Sequence, residues 1–118
     1  MDLSIVISCS DDFHIEKTLD SIDEDVEVVC SITPNPEIEK ILNNRCIPYV
    51  ITPKGNHSVT TNAGIALAKN DKLLLMDSDC VFVPGAIREI SEALDKYLVV
   101  NAKIIFEKLW NYVKCLNI

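Results

Sequence analysis

Residues 60–79 read TTNAGIALAKNDKLLLMDSD, which places a predicted helix, a short turn, an apolar strand and two acids in direct succession. Ser58 offers a cap for the helix, which we predict to run to about Lys69. The strand from Lys72 to Met76 is apolar after its first residue, which is typical of a strand buried on both faces of a parallel sheet. A helix that leads into a buried strand indicates an α/β architecture.

The same alternation of strands and helices continues on both sides of this stretch. Apolar runs predict strands at 3–9, 26–32, 46–52, 72–76 and 97–105, and helical spacing predicts helices at 13–22, 36–43, 58–69 and 84–94. We expect the third helix to pack inward through Val59, Ala63, Ala66 and Leu67. Helices between strands imply right-handed crossovers, so the predicted fold is a three-layer α/β/α domain with a mainly parallel sheet. Ligands of such sheets bind beyond the carboxyl ends of the strands, where we expect the functional residues.

Composition and charge argue against several classes of protein. The chain has 118 residues, of which 48% are hydrophobic and 25% charged, as in a single globular domain. Its formal net charge of −7 argues against a nucleic-acid-binding protein, which needs a basic surface. No apolar stretch reaches the roughly 18 residues of a transmembrane segment, and Met1–Ile5 lacks the basic residues of a signal peptide, so we expect neither. The five scattered cysteines form no C-x-x-C pair, which favours reduced thiols and a cytoplasmic protein.

One segment near the amino terminus holds much of the negative charge. Between Asp11 and Glu27 the chain has eight acids against the single base Lys17. We interpret this segment as a solvated helix face followed by a polar turn. The alternative is a cation site, which would require several of these carboxylates to converge in space, and their spacing does not predict that.

Two carboxylates follow the buried strand one residue apart, at Asp77 and Asp79. Their charges repel each other on a short turn, and a divalent cation relieves this repulsion because Mg²⁺ and Mn²⁺ prefer carboxylate oxygens. A cation held there would keep coordination sites open for the oxygens of a diphosphate and would offset charge on a leaving group. The alternative is a polar turn in which one of the two acids caps backbone amides.

The order of these features resembles that of a known protein family. The helix carries the motif N-x-G-I-x-x-A from Asn62 to Ala68, and the turn, the apolar strand and the D-S-D of residues 77–79 follow it. Together they resemble the nucleotide-sugar signature of family 2 glycosyltransferases, which adopt the GT-A fold. Val83–Ile87 resembles the Pro-Gly helix start that follows the metal motif in that family, and Ser4–Ser8 resembles the strand of its first β–α unit.

The resemblance covers about residues 3–105. It implies a truncated GT-A-like domain over residues 1–105. Apolar residues at helical spacing separately predict an amphipathic helix over residues 106–118, which would pack on the domain or on a partner. The resemblance also implies a glycosyltransferase-like protein that binds a nucleoside diphosphate sugar through Mn²⁺ or Mg²⁺, with Asp77 and Asp79 as metal ligands and Asp77 beside the donor. The remaining donor-binding residues that it implies are Ser8 at the nucleoside, Lys54 near the base or ribose, and Asn62 with Gly64 beside the donor. The alternative for Asn62 and Gly64 is helix packing, since the absent Cβ of Gly64 lets the helix approach the neighbouring backbone closely. The alternative for Lys54 is a solvated loop lysine. His57 would either touch phosphate or be a capping or surface residue.

The sequence also departs from the pattern of that family. Family members commonly have an acid after the second strand, whereas residues 30–33 read CSIT. A basic residue often precedes the helix asparagine, and here Thr61 stands in that position. The general base and the acceptor-binding elements of the family lie in a C-terminal half, and this sequence ends at Ile118. We therefore assign no catalytic base.

Two other functions fit parts of the sequence. The alternative to a glycosyltransferase is a non-catalytic interaction module on the same scaffold, which would bind a second copy or a partner subunit. The surface for it would be the apolar stripe Phe106, Leu109, Trp110 and Val113. A phosphoacceptor receiver domain has a similar length and alternation, but its acceptor aspartate follows the third strand, and Asp77 follows the fourth predicted strand.

Overall fold

The computed structural model describes residues 1–10 and 14–102, together with the backbone of residues 104–105 and 115–116. Its elements are β1 (Leu3–Cys9), α1 (Ile15–Asp20), β2 (Glu27–Ile32), α2 (Pro36–Asn44), β3 (Tyr49–Ile51), α3 (His57–Leu67), β4 (Lys72–Asp77), α4 (Ala86–Leu94), β5 (Ile104–Ile105) and β6 (Cys115–Leu116). The first four predicted strands and the four predicted helices are confirmed, with ends that differ by up to three residues.

A four-stranded parallel sheet forms the middle layer. Its strands lie in the order β3-β2-β1-β4, so β1 is central and pairs with both β2 and β4. Ser8 near the end of β1 lies opposite Ser31 on one side and Asp77 on the other. This register brings the carboxyl ends of three strands to one edge and confirms the mainly parallel α/β sheet. The predicted burial of the fourth strand on both faces is wrong, because β4 lies at the end of the described sheet and Leu75 is 54% exposed.

One face of the sheet packs against α1, α2 and α4 through aliphatic side chains. Alternate residues of β1 point into this core, which also takes two residues each from α1 and α2. Pro36 occupies the first turn of α2, and the Asn35 side chain accepts from two of its backbone amides. The main core residues are Leu3, Ile5, Ile7, Ile15, Leu19, Ile38, Leu42 and Ile87.

On the opposite face of the sheet, α3 is the one helix among the described elements that packs there, and it does so through small side chains. Thr60 and Gly64, one helical turn apart, are the buried residues of α3. A Cβ on Gly64 would lie 2.7 Å from Val6 Cγ1 and 2.9 Å from Ser31 Oγ, so the helix approaches the strands as closely as a glycine allows. The Thr60 hydroxyl lies 2.7 Å from the hydroxyl of Thr52. The third layer is therefore present.

The predicted inward packing of α3 is wrong in part. The close approach at Gly64 leaves no room for larger side chains between the helix and the sheet. Val59 is 47% exposed, and Ala66 is also exposed. The predicted cap is wrong as well, since the side chain of Asn56 caps α3 by accepting from the Val59 amide at 3.1 Å. Ser58 lies inside the first turn.

The described acids between α1 and β2 form contacts rather than a cation site. Asp20 pairs with Arg45 at 2.8 Å, and Glu24 pairs with Arg88 on α4 at 2.8 Å. Asp23 accepts a hydrogen bond from the Gly85 amide at 3.0 Å. Surface pairs of this kind each contribute about 0.2–1 kcal/mol. Asp11 and Asp12 lie outside the described residues.

The predictions for the end of the chain are in part wrong and in part fall outside the described residues. The strand predicted over 97–105 is wrong from Tyr97 to Ala102 and present only at β5. Of the helix predicted over 106–118, only Cys115 and Leu116 are described, and they form β6, antiparallel to β5. Short apolar runs fit both periods, which explains the ambiguity. Phe106, Leu109, Trp110 and Val113 lie outside the described residues. In the described part of the chain, no helix has the length and apolar character needed to cross a membrane.

Candidate functional site

A cleft of about 460 Å³ opens at the carboxyl edge of the sheet. Its walls come from the ends of β1, β2 and β4 and from the start of α3, as expected for a parallel sheet with crossover helices. Its lining is polar and rich in hydroxyl groups. The residues that line it are Ser8, Cys9, Ser10, Thr33, Gly55, Asn56, His57, Thr60, Asp77, Ser78 and Asp79.

The turn after β4 presents both acids to this cleft. Asp77 and Asp79 are exposed, whereas Ser78 between them is buried. The Ser78 amide donates to the Ser8 carbonyl at 3.2 Å, which extends the pairing of β1 and β4 by one residue. The Cys80 amide then donates to the Asp77 carbonyl at 3.3 Å and closes the turn. The alternation of exposed and buried residues therefore places one carboxylate on each side of a buried serine.

The start of α3 forms another part of the lining. The His57 ring lies 3.4 Å from the Thr61 hydroxyl, which in turn lies 3.3 Å from the Ser8 hydroxyl. These contacts connect α3 to the end of β1. His57 is exposed and does not cap the helix, because Asn56 does. Gly55 precedes this cap with a φ of +101°, a left-handed conformation that glycine adopts without strain.

The end of β2 supplies a hydroxyl where an acid is common in the resembled family. Thr33 is nearly buried, and its hydroxyl lies 3.2 Å from that of Ser10. The Cys30 and Ser31 side chains are buried. Burial raises the pKa of the Cys30 thiol to about 12, and the proximity of Cys9 adds to the shift. The Cys30 thiol therefore stays protonated at neutral pH and is a poor nucleophile or metal ligand.

The predicted site residues are only partly brought together. Ser8, Asp77 and Asp79 line one cleft. Gly64 is buried on the side of α3 that faces the sheet, where it allows the close approach of the helix. Asn62 is exposed on α3 and lies outside the lining. Lys54 is exposed on the loop directly before Gly55.

Four further residues line the cleft: Ser10, Thr33 and Asn56 follow predicted strands, where functional residues were expected, but sequence reasoning assigned them no role, and Thr60 was not expected there. Asn56 and Thr60 belong to the first turn of α3, and its true start was one residue earlier than predicted. Ser10 and Thr33 follow β1 and β2 directly. Their position just after a predicted strand is the signal that placed them at this edge.

The donor set fits a cation that is shared with a ligand. Among the described residues, no three His, Cys, Asp or Glu side chains lie close enough to hold a metal ion by themselves. Asp77 and Asp79 offer hard carboxylate oxygens at one end of the cleft. Mg²⁺ is typically bound through one or two carboxylates together with waters and substrate phosphates. Two acids on one turn are therefore a sufficient protein contribution to such a site.

Comparison with known proteins gives one family match. The sequence model of the family described as Glycosyl transferase family 2 matches residues 15–117, which is most of the chain. The comparisons with curated proteins and with solved structures gave no match.

Proposed function

The chain belongs to glycosyl transferase family 2, and from this premise we propose that it binds a nucleoside diphosphate sugar in the cleft, together with Mn²⁺ or Mg²⁺. The observation that carries the proposal is the convergence of Asp77 and Asp79 with the start of α3 in one polar cleft. A diphosphate is an anion and would be repelled by Asp77 and Asp79 unless a cation lay between them. The two exposed carboxylates supply ligands for such a cation. When bound, the cation would offset the negative charge of the departing diphosphate.

The start of α3 would interact with the phosphates. Asn56 and His57 line the cleft, and α3 has eleven residues whose aligned peptide dipoles leave partial positive charge at this end. Asn56 satisfies the Val59 amide, and the position of His57 at the lining would let its ring donate to a phosphate oxygen. The acids and the helix start would thus complement the cation and the diphosphate respectively.

The hydroxyl groups at the ends of β1 and β2 would bind the nucleoside. Ser8, Ser10 and Thr33 line the same cleft. Hydroxyls can both donate and accept, so they can bind ribose or a base edge without the charge of a carboxylate. We propose that Thr33 takes the position of the acid that is common after the second strand, and that Lys54 lies beside this part of the donor.

Isothermal titration with UDP and GDP, with and without MnCl₂, tests this function. We expect heat of binding for at least one nucleotide that depends on Mn²⁺, and a loss of affinity of about tenfold or more in Asp77→Asn and Asp79→Asn, as for a lost charge-assisted contact. The matched control is Asp71→Asn, which makes the same change of charge at an exposed position before β4. The proposal fails if no nucleotide gives Mn²⁺-dependent heat, or if the control variant loses as much affinity.

A donor-binding module that does not itself transfer the sugar is the second candidate. The described lining contains Asp77 and Asp79 as its only carboxylates, and the cation would occupy both. A general base needs a further group within hydrogen-bond reach of the acceptor hydroxyl. Incubation with UDP-sugars and a panel of hydroxyl acceptors, followed by mass spectrometry of released UDP and of glycosylated acceptor, distinguishes the two: transfer favours the enzyme, and binding without transfer favours the module.

A further inference from the structure

A buried hydroxyl of α1 forms hydrogen bonds with the backbone of the turn that carries the two acids. Thr18 is fully buried, and its Oγ1 lies 2.8 Å from the Ser78 carbonyl oxygen and 2.5 Å from that of Cys80. The hydroxyl has one proton, which it shares between these two acceptors. Both acceptors flank Asp79, so one side chain of α1 contacts the backbone before and after this acid.

A second hydroxyl of the same helix end extends this contact. Ser21 Oγ donates to the Thr18 carbonyl at 2.6 Å and accepts from the Phe82 amide at 3.0 Å. Phe82 follows the turn and packs against the main core. We call Thr18 and Ser21 together the hydroxyl clamp.

The turn is also held from the opposite side. The Ser78 amide donates to the Ser8 carbonyl, so the Ser78 backbone is tied to β1 through its N–H and to α1 through its C=O. The buried Ser78 side chain further limits rotation. The backbone that carries Asp77 and Asp79 is therefore fixed by contacts that do not involve their carboxylates.

We propose that the hydroxyl clamp positions Asp77 and Asp79 for the shared cation, an inference that rests on the proposed function. Two carboxylates on an unrestrained turn would move apart because they repel each other. Contacts formed on folding hold the turn in one conformation, so the cation meets a preorganised pair and binding does not have to order the backbone. Thr18 and Ser21 are positioning residues and do not touch the ligand.

Amide hydrogen exchange of the full chain without ligand tests the clamp itself. In Thr18→Val, which keeps the shape and removes the hydroxyl, we expect exchange at Ser78, Cys80 and Phe82 to rise by about tenfold relative to amides of β2. Thr18→Ser keeps the hydroxyl and should retain the protection. Ile38→Val is the control for general destabilisation, because it removes a methylene from the core on α2. Equal exchange at the three amides in Thr18→Val and the control would overturn the proposal.

Affinity for Mn²⁺ with UDP then tests the link to the site. We expect Thr18→Val to weaken Mn²⁺-dependent UDP binding by about tenfold, with Thr18→Ser and Ile38→Val close to the original chain. If Thr18→Val does not fold, Ser21→Ala replaces it and should weaken binding in the same direction. If the original chain binds and these variants bind equally well, the inference is wrong. If the original chain binds GDP with Mn²⁺ and not UDP, GDP replaces UDP in this comparison. If the original chain binds neither nucleotide, the proposed function fails, while the exchange experiment still judges the clamp.

Discussion

Gly64 allows α3 to contact the sheet closely, and Gly64→Ala tests how close that contact is. The new Cβ would lie 2.7 Å from Val6 Cγ1, 2.9 Å from Ser31 Oγ and 3.2 Å from Ser31 Cβ. Val6 is 1% exposed and Ser31 is fully buried, so neither side chain can turn away into solvent. The helix must therefore move away from β1 and β2, or the strands must shift.

The expected magnitude follows from two opposing terms. Overpacking of this kind costs about 1–3 kcal/mol. Alanine gains about 1 kcal/mol over glycine inside a helix. We therefore expect Gly64→Ala to lower the free energy of unfolding by about 1 kcal/mol, which for a domain of this size is a fall in Tm of roughly 3–6 °C.

Urea denaturation monitored by circular dichroism measures this change. Asn62→Ala is the matched control, because it raises helix propensity at an exposed position of the same helix without a new contact to the sheet. The control should be neutral or slightly more stable. An unfolding free energy of Gly64→Ala that exceeds that of the original chain would refute the close packing of α3, because only the gain in helix propensity would then remain.

Three further predictions address a cap, a pH effect and the core. Because the Asn56 side chain caps α3, Asn56→Ala should lower the unfolding free energy in urea denaturation by about 0.5–2 kcal/mol. Asn56→Asp keeps a capping oxygen and should retain most of the original stability. Hydrogen bonds from the Lys69 amide and the Ser4 hydroxyl lower the pKa of Glu27 below its usual range. This stabilisation is present above the unfolded-state pKa and is lost as pH falls through the lowered value. The unfolding free energy of Glu27→Gln should therefore fall less between neutral and acidic pH than that of the original chain. Ile87→Ala should cost about 2–5 kcal/mol in the same denaturation assay, because Ile87 is fully buried in the core, and a loss below 1 kcal/mol would contradict that packing.

The sheet was predictable from the sequence because its strands are locally distinct. The segments that form β1 and β4 are apolar without alternation, and β1 occupies the centre of the sheet. Polar residues directly after these strands then had to meet at the carboxyl edge, which is why Ser8, Asp77 and Asp79 were predicted near one another.

The full buried face of α3 and the support of the acid turn were not predictable in the same way. The absent Cβ of Gly64 predicted the close approach of α3, and the structure confirms it. The buried face of α3 consists of Thr60 and Gly64, however, and no hydrophobic pattern identifies such a face. Thr18 contacts Ser78 across 60 residues of sequence through a backbone acceptor, which has no side-chain signature. From Tyr97 to Ala102 an apolar, β-branched run predicted a strand, but the described structure gives it no strand partner.

Paramagnetic broadening of backbone amide signals is the most direct test of cation binding by Asp77 and Asp79. Addition of MnCl₂ with UDP should broaden the signals of Ser8, Ser78 and Asp79 first, and Asp77→Asn should abolish this selectivity. The amide of Ile38 on α2 serves as the internal reference and should stay sharp. Broadening that is absent at the turn, or that is equally strong at Ile38 and Ser78, would contradict a cation held by the two acids.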